Sequence, residues 1–198
     1  SDGKMVEADD VIVATGGISY PSTGSTGDGY RMAEESGHAL VECTPSLVPF
    51  ETKEDWVKDL QGLSLRNVTV SIYHGKKKLF EDFGEMLFTH FGVSGPLVLS
   101  ASGMIKPVQF KQELCMYIDL KPALDAEQLD KRILREFDAA MNKQFKNVIG
   151  SLMPAKMIPV VIRLSGIDPD KKVNEVSREE RQHLVQLLKR LPLTINGL

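Results

Sequence analysis

The stretch Val68-Thr69-Val70-Ser71-Ile72-Tyr73-His74-Gly75-Lys76-Lys77-Lys78-Leu79-Phe80 decides how this chain is read. Up to His74 apolar and polar residues alternate, which places successive side chains on opposite faces of an extended strand. His74-Gly75 breaks the alternation and three lysines follow, the composition of a solvated hairpin tip. Leu79-Phe80-Glu81-Asp82-Phe83-Gly84-Glu85-Met86-Leu87-Phe88 then runs on as a second strand. The same pattern reaches back to Leu63-Ser64-Leu65 and forward to Glu113-Leu114-Cys115-Met116-Tyr117-Ile118-Asp119-Leu120. Residues 61–120 therefore read as antiparallel strands joined by short turns.

Within that region Ser94-Gly95-Pro96 opens a short helix over Leu97 to Met104, with Pro96 in its first turn. From Asp125 the period changes. Leu129, Ile133, Leu134, Phe137 and Met141 recur at helical spacing and form an amphipathic stripe. Residues 147–153 and 154–164 predict further helices, with Pro159 as a kink or boundary. Ser177-Arg178-Glu179-Glu180 is a capping-box pattern opening a helix that runs through Lys189 and stops at Pro192. Leu193-Thr194-Ile195 reads as a short strand. The chain carries no internal repeat and no low-complexity segment.

The first 44 residues have another character. Asp2-Gly3-Lys4 is a turn signal, and Val11-Ile12-Val13-Ala14 is a continuous β-branched run ending in Thr15-Gly16-Gly17. Such a run predicts a strand buried on both faces, as in a parallel sheet. The loop from Gly16 to Gly29 is rich in glycine and serine, and residues 30–36 look helical up to a C-capping Gly37. Strand, loop and helix together predict part of an α/β unit. Glycines let a ligand approach main-chain N–H groups, and a helix starting near Gly27 adds unpaired donors suited to a phosphate. The spacing is not GxGxxG, and Tyr30-Arg31 stands where a P-loop needs Lys-Ser/Thr. A long surface loop is the competing reading, and Asp28 has a second role open to it as the helix cap.

Size and composition set limits. A chain of 198 residues with 42% hydrophobic and 26% charged residues buries one large core or two small ones. A formal net charge of −3 does not advertise a nucleic-acid or anionic-membrane surface. Cys43 and Cys115 form no CxxC, which argues against a disulfide framework and a zinc site and suits a reducing cytoplasm. No apolar run approaches the ~20 residues that span a bilayer. There is no signal-peptide pattern, and the absence of an initiator methionine reads as an internal segment of a larger protein.

Among titratable residues, His90 in Phe88-Thr89-His90-Phe91-Gly92 is best placed to move a proton, with Tyr20 a second donor candidate. A packed, hydrogen-bonded structural histidine is the competing reading. His38, His74 and His183 have no metal-ligand spacing, and no Ser/His/Asp or Cys/His arrangement emerges.

The block from Ala14-Thr15-Gly16-Gly17-Ile18-Ser19-Tyr20-Pro21 to Ser22-Thr23-Gly24-Ser25-Thr26-Gly27-Asp28-Gly29-Tyr30 resembles one family, the HI0933-like (BaiN/YhiN-type) flavoproteins. Pro45-Ser46-Leu47-Val48-Pro49 and the block Gly84-Glu85-Met86-Leu87-Phe88-Thr89-His90-Phe91-Gly92-Val93-Ser94-Gly95-Pro96 resemble it further on, in the same order. The likeness weakens after about residue 120. It implies an α+β fold: an antiparallel β-barrel-like part at 45–122 and a helical part at 123–192, inserted into an FAD-binding domain. Residues 1–44 would then be a remnant of that α/β domain, and 193–198 the start of the return to it. By the same resemblance Thr15, Gly16 and Gly17 contact FAD, while Thr23, Gly24, Ser25, Thr26, Gly27 and Asp28 line the flavin or substrate cleft. The parent would be an FAD-dependent oxidoreductase acting on a small molecule, with NAD(P)H as reductant. The family's GxGxxG unit and closing glycine-rich segment are not in this sequence, so a complete FAD site is not expected here. A non-catalytic docking module without cofactor is the alternative.

Overall fold

A computed structural model describes residues 5–105, 109 and 113–198. The Asp2-Gly3-Lys4 turn falls outside the described residues. Two compact units are present, Ser1–Thr44 and Pro45–Leu198.

The alternating segments close into an antiparallel barrel. Its staves are β1 (Phe50–Thr52), β2 (Ser64–His74), β3 (Lys77–Phe88), β4 (Gly92–Ser94), β5 (Leu114–Asp119) and β6 (Leu191–Gly197). They run in the order β1-β4-β3-β2-β5-β6, and β6 pairs back to β1. The β2–β3 hairpin turns over Gly75-Lys76, with Gly75 at φ 56 where a side chain would be strained. Val70, Ile72, Met86, Phe88, Leu114, Met116 and Ile118 are fully buried, as period-2 alternation requires of the inward face. Closure removes the free edges that six short staves would otherwise expose.

Leu193 to Gly197, within the segment 193–198 expected to start the return to the FAD-binding domain, belong to the last barrel stave, β6. Leu193 pairs with Met116, and Ile195 pairs with both Leu114 and Thr52. Pro192 is tolerated within β6, next to the barrel seam. The Glu54 carboxylate accepts from the Thr194 amide at 2.9 and 3.0 Å, beside a register shift in β1. In the sequence Leu193-Thr194-Ile195 reads as a short strand, and the structure extends it back through Pro192 to Leu191 and on to Gly197.

α2 (Pro96–Met104) packs on β3, where Gly84 leaves room for Leu97. The rest is a helical layer: α3 (Ala126–Asp138), α4 (Phe145–Val148), α5 (Ile158–Ser165) and α6 (Arg178–Lys189). Asp125 and Ser177 both close reciprocal capping boxes, with Gln128 and Glu180. Leu129, Ile133 and Phe137 are buried as expected, but Met141 lies beyond the helix and is 54% exposed. Pro159 does not kink a helix; it occupies the first turn of α5, where its missing N–H costs nothing. Arg181 and Asp130, at 2.6 Å and mostly buried, join α6 to α3.

In the first unit only a 3₁₀ turn (Pro21–Thr23) and α1 (Asp28–Glu35) are regular among the described residues. The Val11–Ala14 run, expected as a buried strand, forms no ladder among the described residues. Val11 is 80% and Ile12 91% exposed. A strand buried on two faces needs paired neighbours on both edges and cover on both sides, and the described residues supply neither. α1 ends in a Schellman motif: His38 N–H donates to the Ala33 carbonyl and Gly37 N–H to that of Glu34, with Gly37 at φ 86.

Candidate functional site

In the first unit the end of the apolar run folds back on the start of α1. Gly16 sits at φ 74, and a Cβ there would lie 2.6 Å from Ser25 Oγ. A Cβ on Gly29 would meet Thr15 Oγ1 at 2.6 Å, and one on Gly17 the Tyr30 hydroxyl at 3.3 Å. The glycines therefore serve close approach within the loop. Of the expected residues, Thr15, Gly16, Gly17 and Ser25 come together in this way. The amides of Thr15, Gly16 and Gly17 donate to no other described residue. Three adjacent donors at a positive-φ glycine are thus left for an acceptor outside the described residues.

The remaining loop residues are occupied locally. Thr23 Oγ1 donates to the Tyr20 carbonyl at 2.7 Å, and Gly24, at φ 94, receives the end of the 3₁₀ turn. Asp28 is not the helix cap. Gly27, at φ 85, takes that position, and Asp28 lies in the first turn, accepting from Thr26 Oγ1 at 3.1 Å and from Arg31 at 3.0 Å. Those two bonds, with Arg31's leading, hold its carboxyl below the usual aspartate range. Tyr20 is 73% exposed.

In the second unit, the block that carries Gly84, Gly92 and Gly95 is chiefly barrel architecture. A Cβ on Gly92 would stand 2.0 Å from the Phe50 carbonyl oxygen, and one on Gly95, at φ 92, 3.0 Å from the main chain of Met86 and Leu87. Between these glycines a tight turn is fixed by Thr89. Its Oγ1 accepts from Gly92 N–H at 3.1 Å and Phe91 N–H at 3.4 Å, and its own N–H donates to the Gly92 carbonyl at 2.8 Å. His90 and Phe91 project from that turn, their rings edge to face at 4.9 Å. His90 is exposed, and its imidazole hydrogen-bonds to no described residue. A packed, hydrogen-bonded histidine is not what the barrel holds.

A second feature of this unit was not legible in the sequence. At the β2 bulge Arg66 and Asn67 stand against the single β3 residue Glu85, and Asn67 is pushed to φ 55. Beside them Lys121 and Arg132 line a groove of about 360 Å³. The signal was present as two consecutive polar residues interrupting the alternation between Leu65 and Val68. Elsewhere Arg190 lies 3.9 Å over the Tyr117 ring and 5.6 Å from that of Tyr73, an aromatic–basic cluster that only folding assembles.

Among the described residues no His, Cys, Asp or Glu cluster could hold a metal ion, and both cysteines are free. No helix among them is long and apolar enough to cross a membrane.

A family model described as "HI0933-like protein barrel and H2TH domain" matches residues 44–198. Over 196 residues the chain is 31% identical to the 3-dehydro-bile acid delta(4,6)-reductase of Clostridium scindens, covering 98% of this chain and 48% of that protein. It is 32% identical over 189 residues to a ribosomal RNA dihydrouridine synthase of Haemophilus influenzae, covering 94% of this chain and 44% of that one. The Escherichia coli protein of the same name is 29% identical over 196 residues, covering 99% and 46%. The chain thus spans about half the length of the curated relatives it matches.

Proposed function

We propose that this chain, which belongs to the HI0933-like family of FAD-dependent-oxidoreductase-like proteins, is the barrel-and-helix part of a reductase that saturates a carbon–carbon double bond conjugated to a carbonyl. The names of the relatives support the reaction class. Making dihydrouridine from uridine and reducing a delta double bond of a 3-dehydro-bile acid both add two hydrogens across C=C. Here the amides of Thr15, Gly16 and Gly17 would hold the dinucleotide edge of FAD, and the barrel and helices would cover the flavin and shape substrate access. Bound FAD supplies the hydride, with NAD(P)H as its reductant.

The reaction also needs a proton at the carbon next to the carbonyl. Imidazole is the side chain whose ordinary titration lies near neutrality, and His90 offers one that is exposed, unbonded and carried on a turn locked at both ends. His90 is assigned that role. Tyr20, exposed on the loop, is the second donor on offer.

The observation that carries the reading is the trio of unpaired amides at Gly16, in a chain that also holds this family's barrel. Its test is flavin content of the full-length gene product with and without Gly16→Val. The substitution puts a branched side chain where Ser25 Oγ already sits. Loss of bound flavin with an unchanged melting temperature supports the assignment, and equal flavin content in both proteins defeats it.

A further inference from the structure

We infer that the groove formed by the β2 bulge, the β5–α3 connection and α3 binds a phosphodiester of an RNA substrate, through Arg66, Asn67, Lys121 and Arg132. This rests on the reductase reading and narrows its substrate to one carried on RNA.

Two of the three cations at the groove, Lys121 and Arg132, have no acidic partner among the described residues. The acid nearest in sequence to Lys121 is Asp119, and it is already committed. Its Oδ2 pairs with Lys189 Nζ at 2.6 Å, and its Oδ1 accepts from the Lys121 main-chain N–H at 2.9 Å. The Lys121 ammonium is left without a carboxylate partner among the described residues, half-buried, and close enough to Arg132 to feel its charge. Burial first, and Arg132 second, pull it below the ordinary lysine range. Arg132 likewise has no acidic partner among the described residues. Arg66 reaches Glu85 only at 3.8 Å, both ends well exposed. Two like charges confined beside one groove repel each other until an anion joins them.

The ligand chemistry follows from the donors. Guanidinium and ammonium groups with an Asn amide suit a phosphate oxygen set, and they carry no base-reading arrangement. Arg135, one turn on from Arg132, continues the cationic face along α3, and Lys131 is neutralised by Glu127 at 2.6 Å. A line of sites along a helix fits a polymer better than a single small anion. Two of the relatives are named for ribosomal RNA, which supplies the polymer. The net charge of −3 is thus an average over a surface on which this groove is locally cationic.

The test uses the full-length gene product and a labelled, transcribed ribosomal RNA fragment, titrated over a salt series. Replacing Lys121 and Arg132 together by Gln should lower the slope of log affinity against log salt by about 1.4, at ~0.7 for each phosphate no longer neutralised. Near ~0.15 M salt that is about a tenfold loss of affinity. Arg132→Lys should recover part of the slope, and Lys131→Gln should leave it nearly unchanged. Thermal melts of each variant distinguish misfolding from weakened RNA binding. An unchanged slope in a folded double variant overturns the assignment, as does a wild-type protein that binds no RNA. A flavin-free protein that binds RNA with the expected slope change would instead sink the reductase reading while leaving the groove in place.

Discussion

Lys189 Nζ lies 2.6 Å from Asp119 Oδ2 and 2.6 Å from the Leu124 carbonyl oxygen, with the Lys121 carbonyl at 3.1 Å, so one ammonium fastens the end of α6 to the end of β5. The two side chains are 19% and 20% exposed, too sheltered for water to screen the pair fully. Lys189→Met keeps most of the packing and strands a partly buried carboxylate and two carbonyls. Urea unfolding should show a loss of about 2 kcal/mol, with an unchanged denaturant slope.

Glycines in this barrel are not equivalent. Gly92→Ala drives a Cβ to 2.0 Å from the Phe50 carbonyl oxygen, so β1 and β4 must part. A cost of at least ~3 kcal/mol is expected, read as insoluble or early-melting protein. Gly62, at φ 82, has open space around it. Gly62→Ala should cost only about 1 kcal/mol of backbone strain. Equal melting temperatures for the two variants would contradict the packing described.

Glu180 gives a pH signature. The Lys171 ammonium, and then the Ser177 amide, hold its carboxyl below the usual glutamate range. A depressed carboxyl contributes stability that is present above its unfolded titration and lost as pH falls through the folded one. Glu180→Gln retains an oxygen for the capping box and removes the charge. Wild type should exceed this variant in stability near neutrality, and the gap should close on acidification through the acid side of the glutamate range. A gap that persists at low pH would mean that shape, not charge, is responsible.

His90→Gln should leave the melting temperature unchanged, because the imidazole is exposed and bonded to no described residue. Turnover by the full-length enzyme should fall by about 10²- to 10⁴-fold if this side chain delivers the proton. A pH profile that loses its basic limb in the variant would separate proton donation from simple substrate positioning.

The barrel was legible because β2 and β5 alternate and bury every second residue over most of their length, while β3 buries only Phe80, Met86 and Phe88. The caps at Asp125 and Ser177 were legible because a capping box is a local pattern. β6 was legible as the short strand Leu193-Thr194-Ile195 but not as a barrel stave, since its partners on β5 are more than seventy residues away. Val11–Ala14 shows the reverse failure: its composition specifies a buried strand, but burial is a property of neighbours. For the site, Gly16 and His90 stood out as residue types, and their surroundings did not. The groove cations were invisible because Arg66, Lys121 and Arg132 lie on three separate parts of the chain.

The most direct measurement is anaerobic spectroscopy of the full-length gene product. It should purify with flavin absorbance, bleach when NADPH or NADH is added, and regain colour when an acceptor with a carbonyl-conjugated double bond is supplied, uridine-containing RNA before a 3-oxo steroid. A folded full-length protein that is colourless and takes up no FAD would contradict the account at its root.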